Sequence, residues 1–208
     1  KLDAEKEGRA VAQRYKVEAY PTLLLLKADG TEVDRIIGYR DPARFAEEFS
    51  AGAAGKGSVA RAVEAVARAA DAGATAPGIT HDAVKARYDL ARALLQTGRY
   101  EESLGHYLWC YDEGMIKVSS YAGVRTSFLT SDIGRLAAKY PPAREALEKR
   151  RDDAKARLLN DPGDRRAPLE FSALNEALGE NQTTLAVFEQ LPAGDVRRRG
   201  LEIGRAHV

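Results

Sequence analysis

Tyr15-Lys16-Val17-Glu18-Ala19-Tyr20-Pro21-Thr22 runs directly into Leu23-Leu24-Leu25-Leu26-Lys27. The residue before a proline is pushed out of the helical region, so Val17 to Pro21 reads as an extended approach. Thr22 to Lys27 is apolar on both faces, the pattern of a strand covered on both sides of a sheet. Ala28-Asp29-Gly30-Thr31 then carries the Asp-Gly hairpin signal, and Glu32 to Ile37 is the returning strand. Upstream, Glu5 to Tyr15 reads as a short helix with Ala10, Val11 and Tyr15 on one face. Downstream, Asp41 caps a helix with Pro42 at its first position, and Phe45 and Phe49 lie one turn apart on its inner face.

Further along, Gly52, Gly55 and Gly57 mark a flexible joint, followed by an Ala-rich helix with Val59, Val63 and Val66 in one stripe. Gly55-Lys56-Gly57-Ser58 lacks the spacing of a phosphate loop, because Gly57 stands where Ser or Thr should follow the lysine. From His81 onward every segment reads as helix. Asp82 to Gln96 and Tyr100 to Asp112 form a hairpin around Thr97-Gly98-Arg99. Ser120 to Lys139 is the next helix, and Pro141-Pro142 ends it and starts another, Ala143 to Leu159. Two shorter helices flank Gly179-Glu180-Asn181, and Pro192 closes the second.

Two stretches resemble known families. Helix, Val17-Glu18-Ala19-Tyr20-Pro21-Thr22, apolar strand, hairpin, strand ending in Gly38 and closing helix, in that order, look like the carboxyl-terminal half of a thioredoxin-like domain. The resemblance covers about Glu5 to Phe49. It implies a cis peptide bond at Pro21, beside the redox cysteines of such domains. It also implies that Tyr20 offers an unpaired main chain to an extended substrate strand, with Gly38 keeping the groove open. From the residues alone, Tyr20 reads equally as a core aromatic. Thiol–disulfide exchange needs a Cys-x-x-Cys pair, which in the family precedes the proline by a few dozen residues. The first strands of the fold are also missing, so residues 1–50 alone are expected to fold poorly; sharp amide-exchange protection in that isolated piece would contradict this.

The second resemblance is to a tetratricopeptide repeat, a unit of 34 residues. Leu90, Ala91, Leu94, Gly98, Tyr100, Ser103, Tyr107 and Cys110 fall at its spacing, with Arg87 and Met115 as departures. In such arrays the first helix of each pair lines a concave face, which here implies Lys85, Tyr88, Arg92 and Gln96 as a peptide-binding surface. The bland reading is a solvated helix face.

Composition limits the function classes. With 32 basic and 31 acidic residues the net charge is +1, which gives no pull toward nucleic acid or membrane. No apolar run approaches the roughly 20 residues that cross a bilayer. The lone Cys110 excludes an internal disulfide or a cysteine-rich zinc site, and sitting among Tyr107, Leu108, Trp109 and Tyr111 it reads as a small buried hydrophobe. No partner histidine stands at ligand spacing for His81 or His106, so no metal and no cofactor are expected. The basic run Arg144 to Arg157 alternates with acids and reads as a solvated face.

The chain begins at Lys1 inside a helical pattern and has one Met, Met115, so it reads as a piece cut from a longer protein, and its compartment stays open. Its last six residues, Ile203-Gly204-Arg205-Ala206-His207-Val208, are what ATC GGA AGA GCA CAC GTC encodes, a run common in sequencing adapters. They are expected to be an artefact; the same codons in genomic DNA would refute that. The fold expectation is therefore α+β followed by all-α: a partial thioredoxin-like fold (1–51), a linker with a connecting helix (52–77), tetratricopeptide-like helical hairpins (78–202) and the tail (203–208). The function expected is the substrate-side part of a thiol–disulfide oxidoreductase with a helical partner-binding domain, itself lacking redox cysteines. The alternative is a non-enzymatic protein-binding scaffold.

Overall fold

A computed structural model describes residues 3, 6–17, 19–73 and 78–202. Chain contacts divide it into two compact units, residues 1–64 and 65–208.

In the first unit, β1 (Thr22–Leu26) and β2 (Glu32–Ile37) pair antiparallel, with Thr22 opposite Ile37 and Leu25 opposite Asp34. The register slips between Leu25 and Leu26, so that Leu26 faces Glu32. The Asp29-Gly30 turn forms for a local reason: the Asp29 carboxylate accepts the Thr31 N–H at 2.8 Å, and Gly30 takes φ +83°. Helix α1 (Arg9–Arg14) is shorter than the sequence pattern, and Ala10 and Val11 are exposed rather than sharing a covered face with Tyr15. Tyr15 is the anchor: its hydroxyl donates to the Gly30 carbonyl at 2.8 Å, and the Tyr15 carbonyl accepts from the Arg35 guanidinium at 2.8 Å.

Helix α2 (Pro42–Ala53) begins as expected, the Asp41 carboxylate accepting the Arg44 N–H. Its Phe45 and Phe49 border the same hollow as Leu23, Leu25 and Ile36. A strand covered on both sides was expected; instead Leu23 is 40% and Leu26 37% exposed. The glycine joint also reads differently. Gly52 lies inside α2, where a Cβ would stand 3.1 Å from both Leu25 and Asp34, so its role is close approach rather than flexibility. Helix α3 (Ser58–Gly73) follows.

The second unit is helical. Thr80 caps α4 (His81–Gln96), Gly98 at φ +77° turns the chain, and α5 (Tyr100–Trp109) returns along it. The antiparallel register shows in Ser103, whose hydroxyl donates to the Ala91 carbonyl at 2.8 Å. The pattern predicts α-helix to Asp112, yet Cys110–Gly114 is a π turn, followed by α6 (Met115–Lys117). Gly114 belongs there because a Cβ would come 2.7 Å from the Trp109 ring.

The single helix expected from Ser120 to Lys139 is broken into a 3-10 turn (Ser119–Tyr121), α7 (Ala122–Arg125) and α8 (Phe128–Ala137). Ser127 and Thr126 bond back to the carbonyls of Gly123 and Ala122, and Ser127 leaves helical geometry. The break accompanies an inward Arg125, which reaches the Tyr111 carbonyl at 2.7 Å and Glu170 at 2.5 Å.

Then come α9 (Pro141–Asn160), α10 (Ala167–Leu178), α11 (Asn181–Gln190) and α12 (Arg198–Glu202). The core of this unit is built from fully buried Leu129, Ile133, Leu136, Leu147, Leu158 and Phe171. Each such side chain contributes about 1.5–3 kcal/mol by leaving water. Glycine brings two helices close: a Cβ on Gly134 of α8 would stand 2.8 Å from the Ala177 carbonyl oxygen of α10. The arginines of α9 are not a merely solvated face. Arg150 pairs with Asp112, Arg151 with Glu180, and Arg157 with Asp164 and the buried Glu170. Residues 74–77 of the expected linker and all of 203–208 lie outside the described residues.

Candidate functional site

The mouth of the hairpin collects Tyr20, Pro21 and Gly38. The Gly38 N–H donates to the Pro21 carbonyl at 2.8 Å, extending the strand ladder by one step beyond Thr22 and Ile37. The Tyr20–Pro21 bond is cis. Thr22 closes the loop from the other side, its hydroxyl donating to the Ala19 carbonyl at 2.6 Å. Tyr20 is 63% exposed, which sets aside the core reading of that ring. Among the described residues its amide and carbonyl make no hydrogen bond. Gly38 takes φ +84°, and the space where a Cβ would sit is open except for the Arg40 guanidinium at 3.7 Å.

Arg40 is a residue that sequence reasoning missed. Its Nη1 donates to the carbonyls of Ile37 and Tyr39 at 3.1 Å, and its Nε pairs with Glu48 of α2 at 3.0 Å. Arg44 reaches the same carboxylate at 2.9 Å. The backbone after Gly38 is thus pinned to α2, while the Tyr39 ring stands 79% exposed. A positive charge next to a Gly-Tyr dipeptide gives no periodic signal, so nothing local in the sequence identifies it.

The α4 residues behave differently from one another. Lys85 pairs with Asp89 at 2.5 Å on the exposed surface. Tyr88 is half-buried and its hydroxyl donates to Asp132 of α8 at 2.7 Å. Arg92 comes within 3.6 Å of that same carboxylate, which Arg135 also contacts. Gln96 is half-buried at the end of the helix. So Tyr88 and Arg92 converge on one buried acid, and Lys85 and Gln96 do not join them. Burial pushes the Tyr88 hydroxyl above its ordinary pKa.

Cys110 is fully buried, and burial raises its thiol pKa to about 12. A thiolate, which is the reactive form, is therefore suppressed at neutral pH. Among the described residues no group of three or more His, Cys, Asp or Glu could hold a metal ion. No described helix is long and apolar enough to cross a membrane.

No curated protein and no solved structure gives a significant match to the chain. A family model described as thioredoxin-like domain matches residues 2–53, about a quarter of the chain, and so the amino-terminal unit carries a thioredoxin-like domain.

Proposed function

We propose that the chain holds an extended peptide at Tyr20–Pro21–Gly38 and docks a protein partner through its helices. This is the binding half of a thiol–disulfide oxidoreductase whose reactive cysteines are not among these 208 residues. The observation that carries the reading is Tyr20: an exposed residue whose amide and carbonyl make no hydrogen bond among the described residues, next to a Pro21 whose carbonyl accepts the Gly38 N–H. An extended peptide can pair with such a main chain as a short added strand. Cys110 supplies no chemistry here, because its thiol is buried and protonated. The hairpin of α4 and α5 belongs to the same reading as a tetratricopeptide-like element, with Lys85 and Arg92 exposed toward a partner.

The test is a titration of the isotope-labelled chain with reduced, S-carboxymethylated insulin B chain as an extended peptide probe. Amide shifts at Tyr20, Thr22 and Gly38, abolished in Gly38→Val, are expected; no shift at these positions would sink the proposal. Insulin reduction should stay at the background rate.

A second reading is a scaffold without redox chemistry in any form of the protein. It is favoured by the inert Cys110. Sequencing upstream of Lys1 separates the two: a Cys-x-x-Cys there supports the oxidoreductase, and its absence supports the scaffold.

A further inference from the structure

Helix α4 meets α8 through side chains that converge on Asp132, which is 3% exposed. One oxygen of this carboxylate accepts the Tyr88 hydroxyl at 2.7 Å and lies 3.6 Å from the Arg92 Nε. The other is paired with Arg135. A buried carboxylate needs compensation, and Tyr88 with Arg135 already provide it. Arg92 is surplus to that task. At 3.6 Å its Nε is too far for a hydrogen bond to Asp132, and among the described residues its guanidinium makes no other. Yet it is held in place, 5.8 Å from the centre of the Tyr88 ring. A planar fork of donors with nothing to donate to matches a carboxylate better than it matches water.

The surroundings add to this. The side chains of Arg92 and Arg135 are 52% and 67% exposed, so both guanidiniums stand at the rim rather than over the buried acid. Phe128 lies one turn before Asp132 on α8 and is 70% exposed, an apolar surface beside the two cations. At the base, the Tyr107 ring tilts against Tyr88 at 6.1 Å, and its buried hydroxyl has no hydrogen-bond partner among the described residues. Both guanidiniums lie close enough to act on that hydroxyl electrostatically. The cluster thus has unused hydrogen-bonding capacity at its base as well as at its rim.

Charge says what fits. Lys85 is balanced by Asp89, so Arg92 and Arg135 set against Asp132 leave one positive charge on this face. One surplus charge suits one carboxylate rather than a run of phosphates. We infer that the α4–α8 face is the docking surface for an acidic segment of another polypeptide. A Glu or Asp side chain of the partner sits between Arg92 and Arg135, and an apolar neighbour packs on Phe128. This rests on the reading that the helices dock a protein partner, and it names the partner's chemistry.

The test uses the isotope-labelled full chain and the peptide acetyl-Gly-Ala-Glu-Leu-Ala-Gly-amide, whose one charge is the Glu side chain. Saturable shifts at Arg92, Phe128 and Arg135 are expected, weakening as salt is added. Replacing Glu by Gln in the peptide should weaken binding about fivefold or more. Arg92→Gln should do the same with little change in the thermal melt, because Arg92 bonds nothing in the fold, and Arg92→Lys should restore part of the loss. Phe128→Ser, at an exposed position, should weaken binding as well. Equal binding of the Glu and Gln peptides on this face would overturn the acidic assignment and leave helix docking standing. Binding of neither would overturn both. An oligothymidylate that binds more tightly at these residues would overturn the assignment to a polypeptide. Shifts at Tyr20 and Gly38 with the insulin B chain report on the other site separately.

Discussion

The Asp34 carboxylate on β2 accepts the main-chain N–H of Ser58 at 2.8 Å, so a strand residue caps the start of helix α3 from 24 positions away. Its other oxygen accepts from Arg61 at 3.1 Å, and Arg61 also donates to the Lys56 carbonyl at 2.7 Å. Gly57 leaves room for this contact, a Cβ there coming 3.4 Å from the carboxylate. Removing a cap costs about 0.5–2 kcal/mol, and orphaning a buried donor about 1–3 kcal/mol. Asp34→Ala should therefore destabilise the first unit by about 2 kcal/mol and speed amide exchange at residues 58–62. Asp34→Asn, which keeps an acceptor, should lose less. Equal urea midpoints for the two variants would contradict the capping role.

Two helix glycines should respond oppositely to alanine. Gly105 of α5 has nothing within 4 Å of a built Cβ, so Gly105→Ala should gain roughly 0.5–1 kcal/mol from reduced chain entropy. Gly134→Ala would have the same gain but drives a methyl against the Ala177 carbonyl, an overpacking that costs about 1–3 kcal/mol. Thermal melts should move up for the first and down for the second.

Glu170 is buried and held by Arg125 and Arg157. Removing one partner of a buried pair costs about 3–5 kcal/mol, whereas replacing both charges with apolar groups can be nearly neutral. Arg125→Met is expected to lower stability far more than the double change Arg125→Met with Glu170→Met. Additive losses in that double-mutant cycle would show that the pair contributes nothing as a pair.

Iodoacetamide should leave Cys110 unmodified in the folded chain near pH 8 and modify it in urea, because the native thiol pKa of about 12 suppresses the thiolate. Rapid labelling of the folded chain, followed by mass spectrometry, would refute this.

His106 gives a pH signature. Burial, and then the Arg87 charge, hold its pKa below the ordinary value. The folded state thus favours the neutral ring, so the contribution is present above the unfolded pKa and is lost as pH falls through that range. Urea midpoints should drop between about pH 7.5 and pH 5, and His106→Gln should flatten part of the slope.

Much of this architecture is legible in the sequence because its causes are local. Asp29-Gly30, Asp41-Pro42, Gly98 and Gly179 each set a turn or cap within three or four residues, and the structure places elements accordingly. Asp34 was not legible as a cap, because a lone polar residue in a strand gives the same pattern whether it meets water or a helix far along the chain. Gly52 misled for the related reason that missing side chains look alike in a hinge and in a tight contact. The break at Thr126–Ser127 escaped notice because no glycine or proline marks it; it depends on Arg125 turning toward Glu170, 45 residues on. At the candidate site, Tyr20, Pro21 and Gly38 stood out through their order, while Arg40 acts on carbonyls, which carry no sequence label.

The π turn at Cys110–Gly114 has a consequence for length variation. It accommodates one more residue per turn than an α-helix does, with bonds reaching five positions instead of four. A one-residue deletion elsewhere in a packed helix rotates everything beyond it by about 100° and turns buried positions to solvent. Within this turn the same deletion lets the backbone relax to ordinary α geometry, with Met115 and the following segment kept near their present facing. Insertions and deletions should thus be tolerated unevenly along this hairpin, with shortening accepted at the wide turn and resisted at Leu90, Ala91 and Leu94.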